Sequence, residues 1–212
     1  MGKLRARSQS EKDQRQLEVI AVAKKMFLTM EYEDISLAAI SKELKITRPT
    51  LYNYFPSKEA LFLELSQRSY LEMATKMKDT FQVRLEPAVF CRTLTKLFLS
   101  DKLFAKLLSL HQNVMETKVK EELMVQFKTA TLPFFSTFSQ VIAQQFPASS
   151  ASKRAMFMMQ VNVLLTTVYD YTAIPAEQIE VMKKLKPFGE EEVPTALDFY
   201  SASLAELVQK LV

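Results

Sequence analysis

Apolar residues recur along this chain at helical spacing. Leu17, Ile20, Ala21, Phe27 and Leu28 share one face of a stretch from Ser10 to about Met30, which predicts a first amphipathic helix. Glu31-Tyr-Glu-Asp34 breaks that pattern. Ser36 then precedes Leu37-Ala-Ala-Ile-Ser-Lys-Glu-Leu44, a short helix whose first-turn amides the serine hydroxyl is placed to cap. Lys45-Ile46 interrupts. Thr47 is the next cap, and Pro49 is tolerated in the first turn of a second short helix through Tyr54. Pro56-Ser57 closes it and caps a long helix from Lys58 to about Phe81.

The same spacing continues to the end of the chain. It predicts helices near 87–99, 101–114, 117–146, 150–172, 175–186 and 195–211, with Pro133 expected to kink the long helix over 117–146. The expected fold is all-α, with about nine or ten helices.

Composition supports this reading. Of 212 residues, 48% are hydrophobic and 25% charged, enough apolar material for a sizeable core. The chain has two glycines, Gly2 and Gly189, so a Walker loop or dinucleotide fingerprint is not written anywhere in it. A single cysteine, Cys91, excludes an internal disulfide or a thiolate metal cluster. A single histidine, His111, excludes multi-histidine metal sites and leaves no convergent acid–base set. No metal, cofactor or catalytic residue is therefore expected, and the chain is not read as an enzyme.

Two uncharged stretches bear on location. Thr129–Ser152 carries Pro133, Pro147 and many Ser, Thr and Gln residues, and Ala155–Tyr169 falls short of the ~20 apolar residues a span needs. Met1-Gly2 is followed by Ala6 where a myristoylation motif has Ser or Thr, and no signal-like apolar run follows. The expectation is a cytoplasmic protein with no membrane partner.

Charge is unevenly placed. Residues 1–58 hold 11 Lys/Arg against 7 Asp/Glu, whereas residues 59–212 hold 17 of each. The net charge of +4 thus belongs to the first quarter of the chain, and Lys3, Arg5 and Arg7 form a basic arm without an acid. A basic arm beside a basic module is the electrostatic footprint of nucleic-acid binding.

Two short helices separated by about three residues, with apolar Leu37, Ile40, Leu44, Ile46, Leu51 and Phe55, describe a helix-turn-helix. Its second helix presents N-terminal residues to the major groove. Arg48, Thr50, Asn53 and Tyr54 are expected on the exposed face. They offer an arginine for guanine, an amide for adenine, and methyl and hydroxyl groups for thymine or phosphate.

The run Ile35 to Leu61, and above all Thr50-Leu-Tyr-Asn-Tyr-Phe-Pro-Ser-Lys-Glu-Ala-Leu61, resembles the DNA-binding segment of the tetracycline-repressor (TetR) family. The resemblance covers about Glu11 to Leu65. It implies that Ser36 caps a helix and touches a phosphate, that Arg48 and Thr50 read bases, and that Tyr52 and Lys58 grip the DNA backbone. One departure is Lys45, where the family usually has glycine in the turn.

The expected organisation is a flexible basic arm over 1–10, a three-helix DNA-binding domain over 11–58, and a larger ligand-binding and dimerisation domain over 59–212. The implied function is a repressor that binds a palindromic double-stranded DNA operator as a homodimer and leaves it when a small hydrophobic inducer binds. Two other readings stay open at this point: a DNA-binding adaptor controlled by a protein partner, and an all-α carrier or enzyme without DNA binding. Candidate pocket residues are His111, Asn113, Phe134 and Phe138. Candidate interface residues, on the helices near 150–172 and 195–211, are Phe157, Gln160, Val161, Leu164, Leu204, Leu207 and Val208.

Overall fold

The computed structural model describes residues 9–110, 119–187 and 193–211. Among them are eleven α-helices and no strand. These are α1 (Gln9–Phe27), α2 (Leu37–Glu43), α3 (Arg48–Tyr52), α4 (Lys58–Thr80), α5 (Pro87–Ser100), α6 (Lys102–Leu110), α7 (Glu121–Gln145), α8 (Ala151–Leu165), α9 (Val168–Thr172), α10 (Ala176–Leu185) and α11 (Ala196–Val208).

The extra helix comes from a break in the run expected over 150–172. Thr166 and Thr167 turn their hydroxyls back onto the carbonyls of Val163 and Leu164, at 2.7 and 2.8 Å. Such local bonds compete with helix propagation, so α8 ends and α9 starts as a separate short turn of helix. α7, by contrast, continues through Pro133. No described helix is long and apolar enough to cross a membrane.

The buried stripe of α1 also differs from the periodicity reading. Val19, Ile20, Ala23 and Phe27 form it, while Leu17 is 43% exposed. Leu17 and Ala21 fall to one side of a stripe that Val19 and Ala23 complete. Phe27 and Tyr32 both meet the Phe62 ring edge-on, at centroid distances of 5.1 and 4.9 Å, which seats α1 against α4.

Beyond α4, the principal helix pairs are α4 with α7 and α5 with α11. Tyr70 of α4 is the hub of an aromatic cluster. Its ring lies edge-on to Phe104 of α6 at 5.3 Å and to Phe134 of α7 at 5.0 Å. Phe98 of α5 stacks on Phe104, and Phe138 of α7 meets Phe157 of α8. One contiguous cluster therefore joins five helices. Gln145, nearly fully buried at the end of α7, clamps the link between α4 and α5. Its Nε2 donates to the Val83 carbonyl and its Oε1 accepts from the Leu85 amide, each at 2.8 Å. Cys91 is buried within α5, and burial pushes its thiol up to about 11, so it is a packing residue and not a reactive thiolate.

Lys106 of α6 is the least expected buried residue, with 5% of its surface exposed. Its ammonium donates to the Met30 carbonyl at 2.8 Å and to Glu31 Oε1 at 3.3 Å. The same nitrogen sits 4.9 Å from the centre of the Phe27 ring and 5.2 Å from that of Tyr169. One cation thus ties the end of α1 to α6 and α9. Lys106→Met keeps the volume of the stem and removes the charged donors. It is expected to lower stability by about 1.5–3 kcal/mol, the usual worth of a hydrogen bond to a charged group. Urea denaturation of the variant against the parent chain measures it.

Candidate nucleic-acid interface

The helix-turn-helix is built from three local devices. Ser36 Oγ accepts the Ala39 amide at 3.1 Å and starts α2. Thr47 Oγ1 accepts the Thr50 amide at 3.3 Å and starts α3, with Pro49 in its first turn, where a missing N–H costs nothing. Ser57 Oγ accepts the Ala60 amide at 3.1 Å and starts α4. All three caps fall at the serine or threonine that the sequence pattern marks.

Between α2 and α3 the chain turns on a left-handed residue, Lys45, with φ 53°. The Lys45 amide bonds to the Lys42 carbonyl and the Ile46 amide reaches back to Ser41, at 3.1 and 3.0 Å. This is the paired hydrogen-bond pattern of a Schellman turn. Ile46, next in line, packs against the core and pins the turn from inside. Lysine therefore adopts the glycine-like conformation that the turn demands.

α3 is shorter than the sequence pattern suggests. It ends at Tyr52, because the amides of Tyr54 and Phe55 both close onto the Leu51 carbonyl, at 3.0 and 3.1 Å. Asn53 is thus the C-cap, and Tyr54 lies beyond the helix, half-buried and packed on the hydrophobic core. Leu37, Ile40, Leu51 and Phe55 are buried as expected, and Leu44 and Ile46 are partly so.

The outer surface holds Ser36, Arg48, Tyr52 and Asn53, all exposed, with Tyr52 at 52%. Among the described residues Arg48 has no hydrogen-bond or ion-pair partner, so its guanidinium is available outward. Thr50 is half-buried and its hydroxyl lies 2.8 Å from that of Thr47. A base contact by Thr50 therefore uses its methyl group or displaces this pair. Lys58 is held from two sides: its Nζ donates to the Tyr32 carbonyl at 2.8 Å and sits 3.9 Å from the centre of the Tyr32 ring. Tyr32 remains a neutral phenol, because burial and the nearby carboxylates of Glu59 and Glu33 all raise its pKa.

The remaining site candidates are dispersed. Phe134 and Phe138 lie in the aromatic cluster, almost fully buried. His111 and Asn113, and the arm residues Lys3, Arg5 and Arg7, lie outside the described residues. Phe157, Val161, Leu204 and Val208 face the chain's own core, whereas Gln160, Leu164 and Leu207 line an open groove of about 490 Å³. That groove also holds Met156, Met159 and Val163, each more than half exposed. An amphipathic stripe marks a buried face without saying which side a second apolar face takes. Among the described residues no group of three or more His, Cys, Asp or Glu side chains is placed to hold a metal.

Comparison with known proteins settles the family. Residues 19–65 match the family model described as bacterial regulatory proteins, tetR family, and residues 64–191 match the tetracyclin repressor-like C-terminal domain. The chain belongs to the TetR family. Its similar proteins are named transcriptional regulators, and the family is not enzymatic. The chain is 42% identical over 53 residues to the HTH-type transcriptional regulator EthR of Mycolicibacterium smegmatis, covering 25% of this chain and 24% of that protein. It is 29% identical over 122 residues to YuxN of Bacillus subtilis, an uncharacterized HTH-type transcriptional regulator, covering 58% of this chain and 37% of that one. The matches thus span less than two fifths of these curated relatives.

Solved structures share the fold across nearly the whole chain. A TetR-family transcriptional regulator from Pectobacterium atrosepticum superposes with a TM-score of 0.60 at 13% identity, covering 97% of this chain and 98% of its own. The transcriptional regulator FadR of Bacillus subtilis, in complex with stearoyl-CoA, gives 0.56 at 15% identity, covering 91% and 96%.

The left-handed Lys45 leads to a measurable expectation. A side chain in this region costs about 1–2 kcal/mol relative to glycine, partly offset by the greater freedom of glycine in the unfolded chain. Lys45→Gly is expected to stabilise the protein by about 0.5–1 kcal/mol, or about 2–4 °C in Tm per kcal/mol for a chain of this size. Thermal denaturation followed by circular dichroism reads the change. An unchanged or lower Tm contradicts strain at this turn.

Proposed function

We propose that this TetR-family chain is a ligand-responsive repressor. It binds a palindromic operator as a homodimer and is released when a small hydrophobic inducer occupies the body formed by residues 82–212. The observation that carries the DNA-binding part is the exposed Arg48 at the start of α3, unpaired among the described residues, beside exposed Tyr52 and Asn53. Residues 11–58 act as the DNA-reading unit, with the arm over 1–10 tracking the backbone, and residues 59–212 as the sensing and pairing unit. Arg48 and Thr50 read bases. Ser36, Tyr52 and Lys58 position the unit on phosphates, and Asn53 and Tyr54 flank them. Work on chromosomal DNA places the protein in the cytoplasm.

A single helix-turn-helix makes few phosphate contacts, so specific binding calls for two copies on matched half-sites. The apolar groove between α8 and α11 supports that pairing. Four of the seven interface candidates are committed to the core, so Gln160, Leu164 and Leu207 carry the contact together with Met156, Met159 and Val163. The stearoyl-CoA in one fold neighbour supports a sensing role for the body. In this chain, Phe134, Phe138, His111 and Asn113 are the proposed pocket residues.

A mobility shift on the DNA upstream of the gene, with and without a cell extract of small molecules, tests the whole reading. Retention of the shift under every extract contradicts an inducer. Titrations on operator and scrambled duplex separate the residue roles. Arg48→Ala is expected to cost about 1–3 kcal/mol on the operator alone, and Thr50→Ala less. Tyr52→Phe and Lys58→Ala are expected to weaken both duplexes, with Lys58→Ala lowering the salt slope by about one. An equal loss on both duplexes for Arg48→Ala rules out base reading.

Pairing has its own measurement. Light scattering at micromolar concentration is expected to show a dimer for the parent chain and a monomer for Val163→Glu. A monomeric parent chain contradicts the homodimer.

A further inference from the structure

The wall between α7 and α8 carries a charge that no carboxylate among the described residues neutralises. Arg154 lies in the first turn of α8, half-buried, and lines a cleft of about 420 Å³ with Phe135, Ser139, Ala155, Met158 and Asn162 among its neighbours. Its Nη1 donates to the Ser149 carbonyl and lies 3.5 Å from Ser149 Oγ. Its Nε is shut off from solvent with no acceptor, and among the described residues no carboxylate pairs with the group. A partly desolvated cation without a counter-charge is costly, and the cost falls when an anion arrives.

The surroundings sharpen the point. The first turn of α8 contains Lys153 and Arg154 and no acid, the reverse of what the positive end of a helix dipole favours. The rest of the cleft is mainly apolar: a phenylalanine, two alanines and two methionines. Methionine is the residue most able to adapt its shape to a flexible apolar body. The volume lies within the ordinary range for small-molecule sites.

We propose that this cleft binds a small amphipathic carboxylic acid. Its carboxylate pairs with the part of the Arg154 guanidinium that lines the cleft, beside the Nη1 that Ser149 already holds. Ser139 and Asn162 add polar contacts, and the hydrocarbon body lies along Phe135, Ala155 and Met158. A cationic amphiphile meets Arg154 as a like charge. A neutral one leaves the guanidinium unpaired. The site is separate from the one proposed beside Phe134 and Phe138, and it rests on the regulator reading only for its consequence at DNA, not for binding.

Isothermal titration of the full chain with decanoate, decanol and decyltrimethylammonium tests it. Decanoate is expected to bind at least about tenfold more tightly than decanol, with the ammonium weakest. Arg154→Met is expected to weaken decanoate about 10–100-fold and leave decanol unchanged. Arg154→Lys, which keeps the charge and loses the fork, is expected to recover part of the loss. Ala155→Phe, on an exposed position, fills the cleft and is expected to remove both ligands with the helical spectrum intact. Decanoate binding that Arg154→Met leaves intact, no preference for decanoate over decanol, or no decanoate binding at all overturns the proposal. Parallel titrations on operator DNA keep the two readings apart. Decanoate held by Arg154 without any change in DNA affinity supports the site and contradicts its role as inducer. DNA release by some other molecule, with no decanoate binding, does the opposite.

Discussion

A lysine side chain enters a protein interior only where acceptors and ring faces replace its water, and Lys106 meets that requirement at one place. The Met30 carbonyl, the Glu31 carboxylate and the rings of Phe27 and Tyr169 surround its ammonium. Two of these groups belong to the turn that follows α1, one to α1 itself, and one to α9. The end of α1 and the turn after it are therefore tied to α6 by a charge held on all sides. Moving α6 along its axis would take the ammonium away from these four groups. The aromatic cluster around Tyr70 supplies the other half of the constraint by fixing α6 against α4 and α7.

The recognition module rests on a different kind of physics. Its helices are too short to be stable alone, so hydrogen-bonded caps define where each begins and a Schellman turn defines where α2 ends. Leu37, Ile40, Leu51 and Phe55 then bury the common face. What is left on the outside is what the inner requirements did not use: Arg48, without a partner among the described residues, and exposed Tyr52 and Asn53. Lys58 shows the opposite allocation, since the Tyr32 carbonyl and ring already hold its ammonium.

The body presents two unsatisfied surfaces of unlike character, meeting at Met159. One is an apolar groove between α8 and α11 with almost no polar atom in its wall, and the other is a cleft whose apolar wall is broken by a cation. An apolar face is satisfied by another apolar face, as a second copy of the chain provides. A lone guanidinium is satisfied by an anion. The chemistry of each surface thus selects a different occupant, although the two are adjacent on the same helix.

Elements that depend on local chemistry are legible along the chain. The three caps at Ser36, Thr47 and Ser57, the departure from glycine at Lys45, and the all-helical character follow from neighbours along the chain, and the structure places them where the pattern does. Tertiary structure decided what depends on distant partners. Periodicity marks an apolar stripe but not its partner, so Leu17 turns out exposed, while Phe157, Val161, Leu204 and Val208 are spent inside the chain's own core. Nor does a sequence window show that Lys106 finds a carbonyl 76 residues away, or that Arg154 finds no carboxylate among the described residues. Hydrophobic burial and local hydrogen bonds act over one or two helical turns. Charge compensation is settled only when the whole chain has closed around each ion.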